Sequence, residues 1–167
     1  MKLSKLINNL EVKEIFGDLN LDIKGIYHDS RKIKRGFLFI CIKGFTFDGH
    51  CFIDEAISKG AIALVVEQGI HPRPGITVIK VADSREALAI LANQFYEFPS
   101  RKLKLIGVTG TNGKTSVTYM LRAIFQEAGY KTGLLSTAQN IIGDNVNPSS
   151  AFFNACLIAF TRLAIII

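Results

Sequence analysis

The sequence predicts an α/β protein: a small N-terminal α/β domain followed by the truncated start of a second α/β domain of the phosphate-loop ATPase type. Three observations predict it. Apolar, strand-like runs alternate with segments of helical periodicity along most of the chain. Pro99-Ser100-Arg101-Lys102 interrupts that alternation with a proline and polar residues between a helix and a new strand. A glycine-rich turn, Gly110-Thr111-Asn112-Gly113-Lys114-Thr115-Ser116, then joins that strand to an amphipathic helix. At 167 residues the chain has room for one domain and part of another. The expected organisation is residues 1–98, residues 99–150 and an apolar tail, 151–167.

The elements follow in order. Leu3, Leu6, Ile7 and Leu10 fall at helical spacing and predict a short amphipathic helix. Ile23 to His28 reads as a strand. Gly36 to Ile42 is apolar almost throughout, as a strand buried on both faces should be. A loop with two glycines, Lys43 to Gly49, comes next. Phe52, Ile53, Ala56 and Ile57 mark a helix ended by Gly60. Ala61 to Glu67 is a strand, Pro72-Arg73-Pro74-Gly75 a loop, and Ile76 to Val81 another strand. Asp83 or Ser84 caps a helix running to about Phe98, with Leu88, Leu91, Ala92 and Phe95 on one face. Leu103 to Thr109 is the strand before the glycine-rich turn. Val117, Met120, Leu121, Ile124 and Phe125 give the following helix an i, i+3, i+4, i+7, i+8 stripe, and Gly129 ends it. Lys131 to Thr137 is the last predicted strand.

Composition narrows the class. Hydrophobic residues at 49% and charged residues at 20% suit a globular chain that buries a core. The net charge of +6 favours anionic ligands. The basic residues are scattered apart from Arg31, Lys32, Lys34 and Arg35 and the pair Arg101 and Lys102, with no RNA-binding aromatic motif. A solvated basic surface is the expectation, not nucleic-acid binding. Cys41, Cys51 and Cys156 form no C-x-x-C pair and are odd in number, which suits a reducing, cytoplasmic setting. His28, His50 and His71 show no metal spacing. Met1 to Leu6 lacks the apolar stretch of a signal peptide.

The glycine-rich turn carries the chemistry. Glycines let backbone N–H groups face a phosphate without Cβ obstruction, and the helix that follows presents its positive end to the same anion. Lys114 adds a mobile cation for the β- and γ-phosphates, and Thr115 offers a hydroxyl to Mg²⁺. The general pattern, G-x-x-x-x-G-K-[ST], would place a glycine at position 108, where this chain has valine. The loop is therefore a variant.

Gly107-Val108-Thr109-Gly110-Thr111-Asn112-Gly113-Lys114-Thr115-Ser116 resembles the nucleotide loop of the Mur ligases, the ATP-dependent amide-forming enzymes of peptidoglycan synthesis. Three further stretches resemble that family's N-terminal uridine-nucleotide-binding domain: His28-Asp29-Ser30-Arg31, Gly36-Phe37-Leu38-Phe39, and Lys43-Gly44-Phe45-Thr46-Phe47-Asp48-Gly49-His50. Phe95-Tyr96 and Pro99-Ser100 resemble its run into the central ATPase domain. The likeness spans roughly residues 1 to 150 and is greatest to members that add a diamino acid to UDP-N-acetylmuramoyl-L-alanyl-D-glutamate.

The resemblance implies ATP, Mg²⁺ and the UDP-N-acetylmuramoyl dipeptide as ligands. Gly110, Thr111, Asn112, Gly113, Lys114, Thr115 and Ser116 would hold ATP, with Lys114 catalytic and Thr115 on the metal. His28, Ser30, Phe45, Thr46 and Phe47 would line the uridine-nucleotide site, largely through backbone. Arg31 and His50 have a plainer reading, as braces of their own turns. The implied reaction has two steps. A substrate carboxylate oxygen attacks the γ-phosphorus and ADP leaves; an amine then attacks the acyl carbon and phosphate leaves. The resemblance implies a cytoplasmic monomer with neither nucleic acid nor membrane as partner. Which diamino acid is added stays open. So do two alternatives: the D-alanyl-D-alanine-adding relative, and a non-catalytic nucleotide-binding fragment.

After Pro148-Ser149-Ser150 the family pattern is lost. The apolar run from Ala151 to Ile167 falls short of the ~20 apolar residues of a membrane span and contains Asn154 and Arg162. The expectation is a frameshift or truncation near Ser150 and an inactive chain. Its second sheet should be cut after two strands, with apolar faces uncovered and edges unpaired.

Overall fold

The computed structural model describes residues 1–44, 48–69, 73–136, 138–148 and 164–166. The backbone divides into two units, Met1–Glu97 and Phe98–Ile167. No helix among the described residues is long and apolar enough to cross a membrane.

The first unit is a five-stranded sheet with short helices. Its strands are β1 (Val12–Phe16), β2 (Gly25–Tyr27), β3 (Phe37–Ile40), β4 (Ala61–Val66) and β5 (Thr77–Val81), in the order β1-β5-β4-β3-β2. The strands β2 to β5 run parallel, and β1 is antiparallel to β5. Leu38, Phe39 and Ile40 are buried, as are five of the six residues of β4. The sheet is therefore covered on both faces, the burial that a continuous apolar run implies. Phe39, Cys41, Leu64, Val66 and Val78 pack with Ile53 and Ala56 of α2 (Ile53–Ser58).

The structure trims and adds to the predicted elements. Helix α1 (Leu3–Leu6) is a single turn, although Leu3 and Leu6 are fully buried. Its first amides bond the carbonyls of Leu21 and Leu19. Asn8 and Asn9, poor helix formers, follow it. Helix α3 (Ser84–Phe95) ends before Phe98, because Glu97 and Phe98 take positive φ. Asp83 is its cap, accepting from Arg85 N at 2.7 Å and Glu86 N at 3.1 Å. Strand β1 has no counterpart among the predicted elements. It is an edge strand with four of its five side chains exposed, and Glu14 is tied to Lys80 of β5 at 2.8 Å.

The second unit has strands β6 (Leu105–Gly107), β7 (Gly133–Leu135), β8 (Gln139–Ile142), β9 (Asn145–Pro148) and β10 (Ala164–Ile166), with helix α4 (Lys114–Glu127) after β6. The order is β6-β10-β7-β8-β9, every pair antiparallel. Here the expectation of a sheet cut after two strands is corrected: five strands pair, with β6 and β9 at the edges. The backbone of β10 lies between β6 and β7, with Ala164 opposite both Gly107 and Leu135. A β8–β9 hairpin about Gly143-Asp144 is also present, where no hairpin was predicted. The apolar stripe of α4 is largely uncovered: Met120 is 65% exposed and Ile124 62%. Most of the tail, residues 151–163 and 167, lies outside the described residues, as do Ser149 and Ser150.

Candidate nucleotide sites

The glycine-rich loop leaves β6 at Gly107 and enters α4 at Lys114. Gly113 stands at the N-cap with φ 76°, a left-handed conformation that glycine adopts without strain. It contributes no side-chain cap, and the first turn of α4 holds no acidic residue. The first N–H groups of the helix thus lack a local side-chain acceptor. Gly110, Thr111, Asn112, Gly113 and Ser116 are exposed, while Lys114 and Thr115 are half-buried. The Lys114 ammonium lies over the loop, donating to Gly110 O at 2.6 Å and Thr111 O at 3.1 Å. An ammonium has three N–H donors, so one remains for an anion.

These residues fit a phosphate group. A Cβ built on Gly113 would meet nothing within 4 Å, so the backbone there is open to a ligand. The helix end is electropositive and unopposed by carboxylates. Thr118 is fully buried and turns its hydroxyl to Thr115 O at 2.8 Å, binding the first turn of α4 together. For a divalent ion the donor set is thin. No group of three or more His, Cys, Asp or Glu converges among the described residues. A magnesium ion would be held by Thr115 and by phosphate oxygens, a mode common for Mg²⁺.

In the first unit, three adjacent parallel strands deliver the other candidate residues to one end. Tyr27 of β2 pairs with Phe39 of β3, and Ile40 pairs with Val65 of β4. The chain leaving their carboxyl ends supplies His28 to Lys32, Lys43, Asp48 and Glu67. Ligand crevices in open parallel sheets form outside the carboxyl ends of strands. Ser30 begins a 3₁₀ turn, Ser30–Lys32, capped by Asp29. It is buried, and its hydroxyl donates to Glu55 Oε2 at 2.8 Å. Arg31 braces the turn, with Nε and Nη2 each 2.9 Å from the Asp29 carboxylate. That side-chain pairing holds the Asp29 pKa down at about 2. Burial lowers the His28 pKa to about 4, against the pull of Asp29, so its ring is neutral at pH 7. Phe45, Thr46 and Phe47 lie outside the described residues.

His50 likewise braces its turn. Its backbone N–H and Nδ1 lie 2.9 and 2.6 Å from Asp48 Oδ1, and its Nε2 accepts from Glu67 N at 3.2 Å. One ring nitrogen thus faces Asp48 and the other the Glu67 amide. Gly49 beside it has no room for a side chain, since a Cβ would stand 2.6 Å from Ile42 N.

A family profile described as "Mur ligase family, catalytic domain" matches residues 22–96. A second, "Mur ligase middle domain", matches residues 108–161 and so covers the glycine-rich loop. The two occupy more than half of the chain. The chain belongs to the Mur ligase family. Relatives agree with the assignment. A UDP-N-acetylmuramoyl-L-alanyl-D-glutamate–2,6-diaminopimelate ligase of Caldanaerobacter subterraneus subsp. tengcongensis is 51% identical over 150 residues, which is 90% of this chain and 31% of that one. A crystal structure of MurF from Acinetobacter baumannii superposes with a TM-score of 0.61 at 30% identity, covering 75% of this chain and 27% of that one. A solved 2,6-diaminopimelate ligase shares the fold, with a TM-score of 0.69 at 19% identity over 94% of this chain and 32% of that one. This Mur ligase chain spans about 30% of the length of the curated relatives it matches.

Sequence reasoning missed two carboxylates in this Mur ligase chain. Glu55 receives the Ser30 hydroxyl and the Lys59 ammonium, and the bond from Lys59 holds its pKa down. Glu67 accepts from both N and Oγ of Ser84, at 2.9 and 2.7 Å. Neither belongs to a motif, and their serine partners lie 25 and 17 residues away.

Proposed function

We propose that this chain binds ATP and a UDP-N-acetylmuramoyl dipeptide as the nucleotide-binding part of a peptidoglycan-precursor ligase that adds 2,6-diaminopimelate. The observation that carries the reading is the Gly110–Ser116 loop between β6 and α4, within the stretch that matches the Mur ligase middle domain. Identity of 51% to a ligase named for diaminopimelate supports that acceptor over D-alanyl-D-alanine.

In this reading the backbone of Gly110, Thr111, Asn112, Gly113 and Ser116 cradles the phosphates. Lys114 is catalytic: its ammonium moves from the loop carbonyls to the γ-phosphate and screens it as the substrate carboxylate approaches. Thr115 holds Mg²⁺, which when bound supplies further screening of the phosphate oxygens. The uridine nucleotide lies at the carboxyl ends of β2 and β3, against His28, the backbone at Ser30, and Phe45, Thr46 and Phe47. The setting is cytoplasmic and the chain a monomer, with roles in cell-wall growth and division.

Phosphate release from ATP, measured with Mg²⁺, UDP-N-acetylmuramoyl-L-alanyl-D-glutamate and diaminopimelate, tests the reading. Release that requires all three organic substrates supports the ligase. Binding of both nucleotides without release assigns this chain the binding role alone. Binding of neither nucleotide contradicts the proposal.

A further inference from the structure

Helix α4 turns a hydroxyl inward where a helix ordinarily buries hydrocarbon. Among the described residues of α4, Thr118 alone is buried, at 0% exposure, while Val117, Met120 and Ile124 stay exposed. The Thr118 hydroxyl donates to Thr115 O, in the first turn of the same helix, at 2.8 Å. A regular helix already gives that carbonyl one donor, the N–H four residues on. A carbonyl oxygen has two lone pairs, and the Thr118 bond fills the second. Thr115 is thus held by its carbonyl, while among the described residues no hydrogen bond engages its own hydroxyl. Its branched side chain is restricted about χ1, so a fixed backbone limits where that hydroxyl can stand.

The residue after Thr118 ties the helix to a strand end. Tyr119 Oη accepts from Gln139 Nε2. Gln139 is held in turn by Ser136, whose Oγ donates to Gln139 O at 2.9 Å and accepts from Gln139 N at 3.1 Å. Ser136 follows β7, and β6 and β7 both pair antiparallel with β10. Ser136 and the glycine-rich loop therefore leave the sheet at the same end.

We propose that Thr118 is a positioning residue for metal-bound nucleotide: its buried hydroxyl fixes the first turn of α4 so that Thr115 presents its own hydroxyl to the divalent ion accompanying the phosphates. The inference rests on the reading of the loop as an ATP site made above. Thr118 itself touches neither phosphate nor metal. It acts on the Thr115 backbone, whereas the left-handed Gly113 shapes the phosphate cradle. Its loss should therefore show in the metal-dependent part of the affinity.

The test measures dissociation constants for ATP by calorimetry, once with Mg²⁺ and once with EDTA. It uses the full chain as wild type, Thr118→Val, Thr118→Ser and Thr118→Ala. The readout is the gain, the ratio of the metal-free constant to the Mg²⁺ constant, with thermal midpoints taken alongside. Valine keeps the shape of threonine and loses only the hydroxyl, so a packing role alone leaves the gain unaltered. The expected result is a gain cut by about fivefold or more in Thr118→Val, the worth of one hydrogen bond, with metal-free affinity unchanged. Thr118→Ser, which keeps the hydroxyl, should restore the gain. Serine and alanine share the lost methyl group and differ in the hydroxyl. If Thr118→Val lowers the thermal midpoint, that pair decides, with the larger gain expected in Thr118→Ser. Equal gain in Thr118→Val and the wild type, or in Thr118→Ser and Thr118→Ala, overturns the proposal and leaves Thr118 a packing residue. Equal weakening with and without Mg²⁺ also overturns it, since the fault then lies in the whole helix end. A wild type that binds ATP with no gain from Mg²⁺ overturns the metal role of Thr115 and the inference with it. A wild type that binds ATP in neither condition overturns the reading of the loop itself.

Discussion

Two cations and one neutral histidine show how local chemistry sets residue roles. Lys114 is held over its own loop by two carbonyls, whereas Arg31 is spent on Asp29 in a two-pronged pair. Both lie in sequence motifs and both keep unused N–H donors, but only Lys114 stands at the N-terminal end of a long helix, beside the glycine-rich loop. His28 makes a prediction in pH. Its pKa in the folded chain, about 4, lies below its ordinary 6.5, because burial disfavours the charged ring. The unfolded chain therefore binds more protons between those values, and stability falls as pH is lowered from 6.5 to 4. Thermal midpoints across this range should fall less steeply in His28→Gln than in the wild type. Parallel curves would show that His28 does not contribute. The motif residues were legible in the sequence because glycine, lysine and threonine act within one turn. The partner of Ser30 was not, because Glu55 reaches it only through the fold.

The elements obey the same division between local and distant causes. Strands β3 and β4 were legible because burial on both faces writes a continuous apolar run into the sequence. Edge strand β1 was not, because its residues are mostly exposed and its pairing with β5 joins positions more than 60 apart in sequence. Capping was half legible. Asp83 and Ser84 were equal candidates, and the choice fell to Asp83 because Ser84 is occupied by Glu67. Gly49 gives a test at this scale. Alanine there would place a methyl group 2.6 Å from Ile42 N and 2.8 Å from Ile42 O, and backbone cannot turn aside as a side chain can. Gly49→Ala should cost about 1–3 kcal/mol, the usual range for overpacking, read as a lower urea midpoint at unchanged slope. An unchanged midpoint would mean that the turn relaxes freely.

At the scale of the molecule, the two units differ in how well they bury apolar surface. In Met1–Glu97, strands β3 and β4 are closed on both faces, while in Phe98–Ile167 the stripe Val117, Met120 and Ile124 on α4 stays exposed. We propose that the first unit is an autonomous domain and that the second is the less stable of the two. Limited proteolysis should cut first between Phe98 and Lys104 or beyond, and leave a resistant piece ending near residue 97. A single protected piece reaching residue 148 would contradict this. The sequence foretold the helix α4 from its apolar stripe, but not the strand β10, since no local pattern near Ala164 states that it will pair with Gly107 and Leu135. The central claim is that the Gly110–Ser116 loop binds the phosphates of ATP. Calorimetric titration of Mg²⁺-ATP into the full chain and into Lys114→Ala tests it most directly. The account predicts saturable one-to-one binding by the wild type, and at least tenfold weaker binding without the Lys114 ammonium. Absence of binding by the wild type, or equal affinity in the two proteins, would contradict it.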